Sequence, residues 1–192
     1  PDEVFTEVVD VAPIDAAEAR LGDRGIVMVD TEDPLCAAAT LLSMADYTIV
    51  ALTEPALFHQ LLEKEARRIH RRTATVSRQL PGRLWRIYGP EYATPPYLPP
   101  DRFEQYVVRY VEPMVRMIQA HGGFARVHSH GRLKDVLGHI MAMAPDALDP
   151  IEPPPQGDMQ LRDVRRQCGD QLVLFGNIEI ADIENLPPAR FA

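Results

Sequence analysis

Cysteine is nearly absent: Cys36 and Cys168 are the only two in 192 residues. They form no CxxC pair and no disulfide framework, a usage that suits a reducing cytoplasm. Long apolar runs are missing as well. No stretch approaches the ~20 residues of a membrane helix, and no charged-then-apolar opening marks a secretory leader, so a cytoplasmic protein is expected. The chain also lacks positive charge. Lys+Arg 20 against Asp+Glu 28 leaves a formal net charge of −8, with a pI near 5.2. Phosphate binding needs a basic field, so neither nucleic acid nor membrane is expected as a partner. GxSxG, Walker and GxGxxG sequences are absent, which removes the usual signatures of hydrolases, NTPases and dinucleotide enzymes. The first residue is Pro1, not Met, and the expectation is a processed chain or a fragment.

Proline, by contrast, is plentiful, and its 18 residues are clustered. Five lie between Pro90 and Pro100, four between Pro150 and Pro155, and Pro187-Pro188 follow. Periodic apolar segments flank each cluster, so the clusters read as long ordered loops. Residues 1–24 read as an irregular acidic lead-in with a short helix at 15–21. Gly25 to Asp30 reads as a strand buried on both faces. Asp33-Pro34 is an N-cap and N1 pair for a helix through Leu35 and Leu42. Thr53-Glu54-Pro55 starts a second helix with Leu57, Leu61 and Ile69 on one face. Its far side carries Lys64, Arg67, Arg68, Arg71 and Arg72, best read as solvated. Strands follow at 83–88, 124–128, 147–151 and 172–175. The helices between them begin at an Asp101–Glu104 capping box, near Leu133, and at Asp158. Pro113 should kink or restart its helix.

This order is β-α-α-β-α-β-α-β-α-β in a single domain. Alternation of this kind means a parallel sheet with crossover helices. An open doubly wound sheet and part of a (β/α)8 barrel both satisfy it. About five strands are too few to close such a barrel, which takes ~250 residues. In either architecture ligands bind at the carboxyl ends of the strands.

Those ends deliver acid, imidazole and amide groups to one rim. His128 and His130 are two apart in an extended segment, so both imidazoles face one side and can reach one ion. The alternative is one packed histidine and one solvated. Glu91, in a stiff loop with Tyr92 and Tyr97, is a candidate proton carrier; it can equally cap its turn or pair with Arg86. Glu152 stands before Pro153 as a further candidate acid or third ligand. Asn177 and Glu179 can orient a substrate or tie down the turn after the last strand. Cys36 and Cys168 read as core packing.

Taken in order, these motifs resemble the uroporphyrinogen decarboxylase superfamily, which includes the cobamide-dependent methyltransferases. The stretches are Gly89-Pro90-Glu91-Tyr92, Phe103…Tyr106-Val107…Pro113, Val127-His128-Ser129-His130-Gly131, Asp146-Ala147-Leu148…Glu152-Pro153 and Gly176-Asn177-Ile178. The resemblance spans about residues 25–180. It implies an α/β chain forming a partial (β/α)8 TIM-type barrel, incomplete at both ends, with its active site at the carboxyl rim. The strand-end candidates then stand as catalytic residues, Glu91 and Glu152, and as substrate contacts, Tyr92, Tyr97, Asn177 and Glu179. The methyltransferases carry His-x-Cys where His128-Ser129-His130 stands, and bind zinc with a later cysteine. Here His130 replaces the thiolate, and imidazole also ligates zinc. The implied activity is metal-assisted methyl transfer, with a small-molecule substrate and a corrinoid protein carrying the cobamide. The alternatives are cofactor-free decarboxylation of a tetrapyrrole carboxylate, or a non-catalytic fragment or paralogue. Exposed apolar surface and strand edges make a homo-oligomer an expectation.

Overall fold

The structure is a computed structural model that describes residues 8–176 and 178–190. Its centre is one open sheet of five parallel strands in the order β1-β2-β3-β4-β5. The strands are β1 (Met28–Glu32), β2 (Leu84–Tyr88), β3 (Phe124–His128), β4 (Ala147–Asp149) and β5 (Val173–Leu174). Sequential parallel neighbours require crossovers, and their common right-handedness puts the connecting helices on one face. This is the α/β arrangement of a partial TIM-type barrel.

The helices are α1 (Ala12–Leu21), α2 (Pro34–Ala39), α3 (Met44–Thr53) and α4 (Pro55–Gln79). There follow α5 (Pro100–Phe103), a π turn (Glu104–Val108), α6 (Arg109–Gln119), α7 (Leu137–Ala142), α8 (Leu161–Cys168) and α9 (Ile180–Asn185). Within the lead-in, residues 12–21 are helical, a longer helix than the expected 15–21.

The strands alternate in burial, and this overturns the reading of β1 as buried on both faces. Val29, Thr31, Trp85, Ile87, Ala125, Val127 and Leu148 are buried on the helix-covered face. The intervening residues turn to the other face, which is polar from the strand centres to the carboxyl ends. The first strand also begins later than expected, at Met28, and Ile26 is 76% exposed.

Other expectations shift for local reasons. On α4 the buried stripe is Phe58, Leu62, Ala66, Ile69, Thr73 and Ser77, so Leu57 points outward, 58% exposed. The basic side of α4 is partly engaged: Arg68 and Arg72 both reach Glu32, at 3.2 and 3.1 Å. Asp101 caps nothing, because Pro99 occupies the N-cap of α5 and Pro100 its first turn. Asp158 accepts from the Lys134 N–H at 3.1 Å, and Gln160 is the N-cap residue of α8. Pro113 lies inside α6 and does not restart it. The wide π turn just upstream is a usual companion of such an interruption.

At the α4–α6 contact, His59 Nδ1 lies 3.1 Å from the Tyr110 hydroxyl, and its ring meets the edge of Tyr106 at 5.1 Å. Burial, then the nearby Arg109 charge, lowers the His59 pKa below its ordinary value. The folded state therefore binds fewer protons than the unfolded chain. The contribution of His59 is complete above the unfolded pKa of ~6.5 and declines as pH falls below it. Melting temperatures at pH 7.5 and 5.5 should diverge more for the parent protein than for His59→Gln; identical pH slopes would refute this assignment.

Candidate active site at the carboxyl rim

Aligned residues of a parallel ladder share a face. The register sets Asp30, Arg86 and Arg126 abreast, and Glu32, Tyr88, His128 and Asp149 abreast one step nearer the carboxyl ends. Charged side chains in the middle of parallel strands have no place between two helix layers. They suit the concave side of a barrel, where the active site collects.

Each inner arginine is paired. Arg86 grips Asp30 through two hydrogen bonds of 2.7 and 2.6 Å. Arg126 meets Asp149 at 2.9 Å and lies over the Phe175 ring at 5.0 Å. Asp149 is shared: its second oxygen accepts from His128 Nδ1 at 3.0 Å. Glu152 repeats the device one loop out. One oxygen accepts from His130 Nδ1 at 2.8 Å, and the other from the Gly131 N–H at 2.8 Å. The two imidazoles lie edge to face, 4.7 Å apart, so the pair shares one side as the spacing implied.

A carboxylate only accepts. In the neutral imidazoles each Nδ1 therefore carries the proton, and each Nε2 keeps a lone pair. That is how carboxylates orient metal-ligating histidines. The two imidazoles thus offer two nitrogen lone pairs as a donor set of the kind a divalent ion takes. Among the described residues no group of three or more His, Cys, Asp or Glu converges to hold an ion.

The loop after β3 is anchored from beneath. Ser129 is fully buried, and its hydroxyl lies 2.8 Å from that of Thr94, also fully buried. Its N–H donates to the Asp149 carbonyl at 2.7 Å. The serine between the two histidines thus fixes their loop to those after β2 and β4.

Glu91 follows β2 and shares the rim with Glu152, which follows β4. One Glu91 oxygen accepts from the Gly89 N–H at 2.8 Å, so the carboxylate closes its own turn; Arg86 pairs elsewhere. Behind it lies Asp33, fully buried, whose Oδ1 accepts from the Cys36 N–H at 2.7 Å as the expected cap of α2. Burial drives the Asp33 pKa well above the ordinary carboxylate range, and the Glu91 charge adds to the rise. Burial, then Asp33, pushes the Cys36 thiol up to about 12. Cys36 and Cys168 are both buried.

Tyr92 is half-buried. Its ring meets the edge of Tyr47 at 5.9 Å, and its carbonyl accepts from the Tyr47 hydroxyl at 2.8 Å. Tyr97 is half exposed. Asn177 lies outside the described residues. Glu179 is the N-cap residue of α9, without a side-chain cap bond. Gly176 is required: its φ is +125°, and a Cβ there would stand 2.8 Å from the Ile151 nitrogen.

Sequence reasoning missed Asp149, Arg126, Arg86 and Asp30. A signal existed, because a charge at the centre of each of three apolar strands contradicts burial on both faces.

No protein-family profile and no curated protein matches the sequence. A solved structure, a methyltransferase from Methanosarcina mazei, has a similar fold, with a TM-score of 0.65 at 15% identity. The similarity covers 86% of this chain and 46% of the methyltransferase, so the chain spans about half the length of the structure it matches. At that identity the likeness establishes the fold alone: this chain folds as the matched part of that structure does.

Proposed function

We propose that this chain is the barrel portion of a methyltransferase of the cobamide-dependent kind, with its metal-assisted site at His128 and His130. The observation that carries this reading is the pair of carboxylates, Asp149 and Glu152, each holding one imidazole by Nδ1 at the carboxyl rim. The methyltransferase-like fold supports it. So does the pairing of Arg86 and Arg126, since decarboxylation of a polycarboxylate tetrapyrrole calls for unpaired cations at the rim.

A zinc ion held by the two Nε2 atoms would lower the pKa of a thiol acceptor and keep it as the reactive thiolate. The chain's own groups do the rest. Asp149 fixes the tautomer of His128 and is itself fixed by Arg126. Glu152 fixes His130 and ties it to the Gly131 backbone. Glu91 takes the thiol proton, and Tyr92, Tyr97 and Glu179 flank the acceptor. The methyl group leaves its carrier as the new C–S bond forms, and the electron pair of the broken bond stays with the carrier.

The test is transfer from free methylcobalamin to a small thiol by the full chain with added zinc. Turnover should depend on zinc and fall about 10–100-fold in Glu152→Gln, the usual cost of losing a group that orients a ligand. Absence of zinc-dependent transfer would remove the methyltransferase reading.

A further inference from the structure

The outer face formed by α3 and α4 holds a groove of about 660 Å3 lined by Leu42, Val50, Leu57 and Leu61. Lys64 and Arg67 stand on its margin beside Glu63, whose carboxylate is held by Arg109 at 3.0 Å. Neither Lys64 nor Arg67 makes an ion pair among the described residues, and Arg71 continues the same exposed edge one turn on. The groove is thus apolar with a cationic border, on a chain whose net charge is −8.

The complementary surface lies at the other end of the sheet. Residues 178–186 carry Glu179, Asp182 and Glu184 and no cation. Ile178, Ile180 and Ile183 are 71, 64 and 55% exposed, and α9 within this segment buries none of its residues. An acidic segment with bare isoleucines and an apolar groove with bare cations each leave what the other covers.

We infer that residues 178–186 of one copy dock in the α3–α4 groove of a second copy, giving a reciprocal dimer. Docking within one chain is opposed by the strand order. The groove belongs to the β1–β2 connection, whereas the segment follows β5. Four inter-strand spacings, ~19 Å, separate the two edges of the sheet. A two-fold axis satisfies both grooves and both segments at once.

Sedimentation equilibrium of the full chain tests this, with charge-reversed variants. The parent should dimerise, more weakly as salt rises. Ile183→Asp, at an exposed position that folding does not require, should raise the dimer dissociation constant about tenfold or more. Lys64→Glu/Arg67→Glu and Asp182→Lys/Glu184→Lys should each weaken the dimer similarly. All four reversals in one chain should restore it to within about threefold of the parent. A parent that stays monomeric at high concentration, or a dimer indifferent to Ile183→Asp and to both reversals, would overturn the inference.

Discussion

Gly89→Ala should lower the melting temperature by about 10 °C or more. Two costs add at this position. The backbone φ is +125°, a region that side chains rarely adopt, worth roughly 1–3 kcal/mol. A Cβ there would also stand 2.6 Å from Asp33 Cγ and 2.7 Å from Cys36 Cβ. Both neighbours are buried at the start of α2 and cannot swing away, and overpacking of that kind costs about 1–3 kcal/mol. In a chain of this size each kcal/mol moves the midpoint by about 2–4 °C. Gly82→Ala supplies the control: it also has positive φ, but nothing stands within 4 Å of its Cβ position. Its loss should be a few degrees only. The same substitution at Gly89 displaces the turn that Glu91 closes, so a folded remnant should also lose any activity that depends on Glu91. Equal melting temperatures for the two variants would refute the packing argument.

The strand order, the parallel pairing and the rim were legible in the sequence because each strand ends at, or within two residues of, a glycine, histidine or proline that punctuates the pattern. The inner polar layer was not. A short apolar run such as Gly25 to Asp30 reads the same for a strand covered on both faces and for one covered on a single face. Only the charges at Asp30, Arg86 and Arg126 break the tie, and they do so together rather than singly. Helix α3 went unread: it fills the gap between the helix read through Leu42 and the one read from Thr53-Glu54-Pro55. Its N-cap was nonetheless written plainly: Ser43 accepts from the Asp46 N–H at 3.1 Å. Leu57 was misplaced by one position because Phe58 beside it is equally apolar, and α4 can bury only one of them. At the site, the same-side placement of His128 and His130 follows from their spacing. Their partners do not, since Asp149 and Glu152 reach them across 21 and 22 residues of sequence.

The central claim is that Asp149 and Glu152 orient His128 and His130 as ligands for one divalent ion. If so, replacing both histidines by alanine removes both imidazoles of the site, and specific binding should vanish. Removing only the orienting groups should do less. Asp149→Asn also strips Arg126 of its partner, so Glu152→Gln is the cleaner variant, and a loss of about 10–100-fold in affinity is expected. His130 is the more exposed of the pair, at 51% of its side chain against 16% for His128. Neither substitution opens a cavity in the core, so folding should survive in both.

Titration of the metal-free full chain with cobalt(II), followed by visible absorption and checked by zinc competition, tests the claim most directly. The account predicts one ion per chain in the parent protein, zinc displacing cobalt, weakened uptake in Glu152→Gln, and none in His128→Ala/His130→Ala. Equal metal content in the parent and the double variant would contradict it.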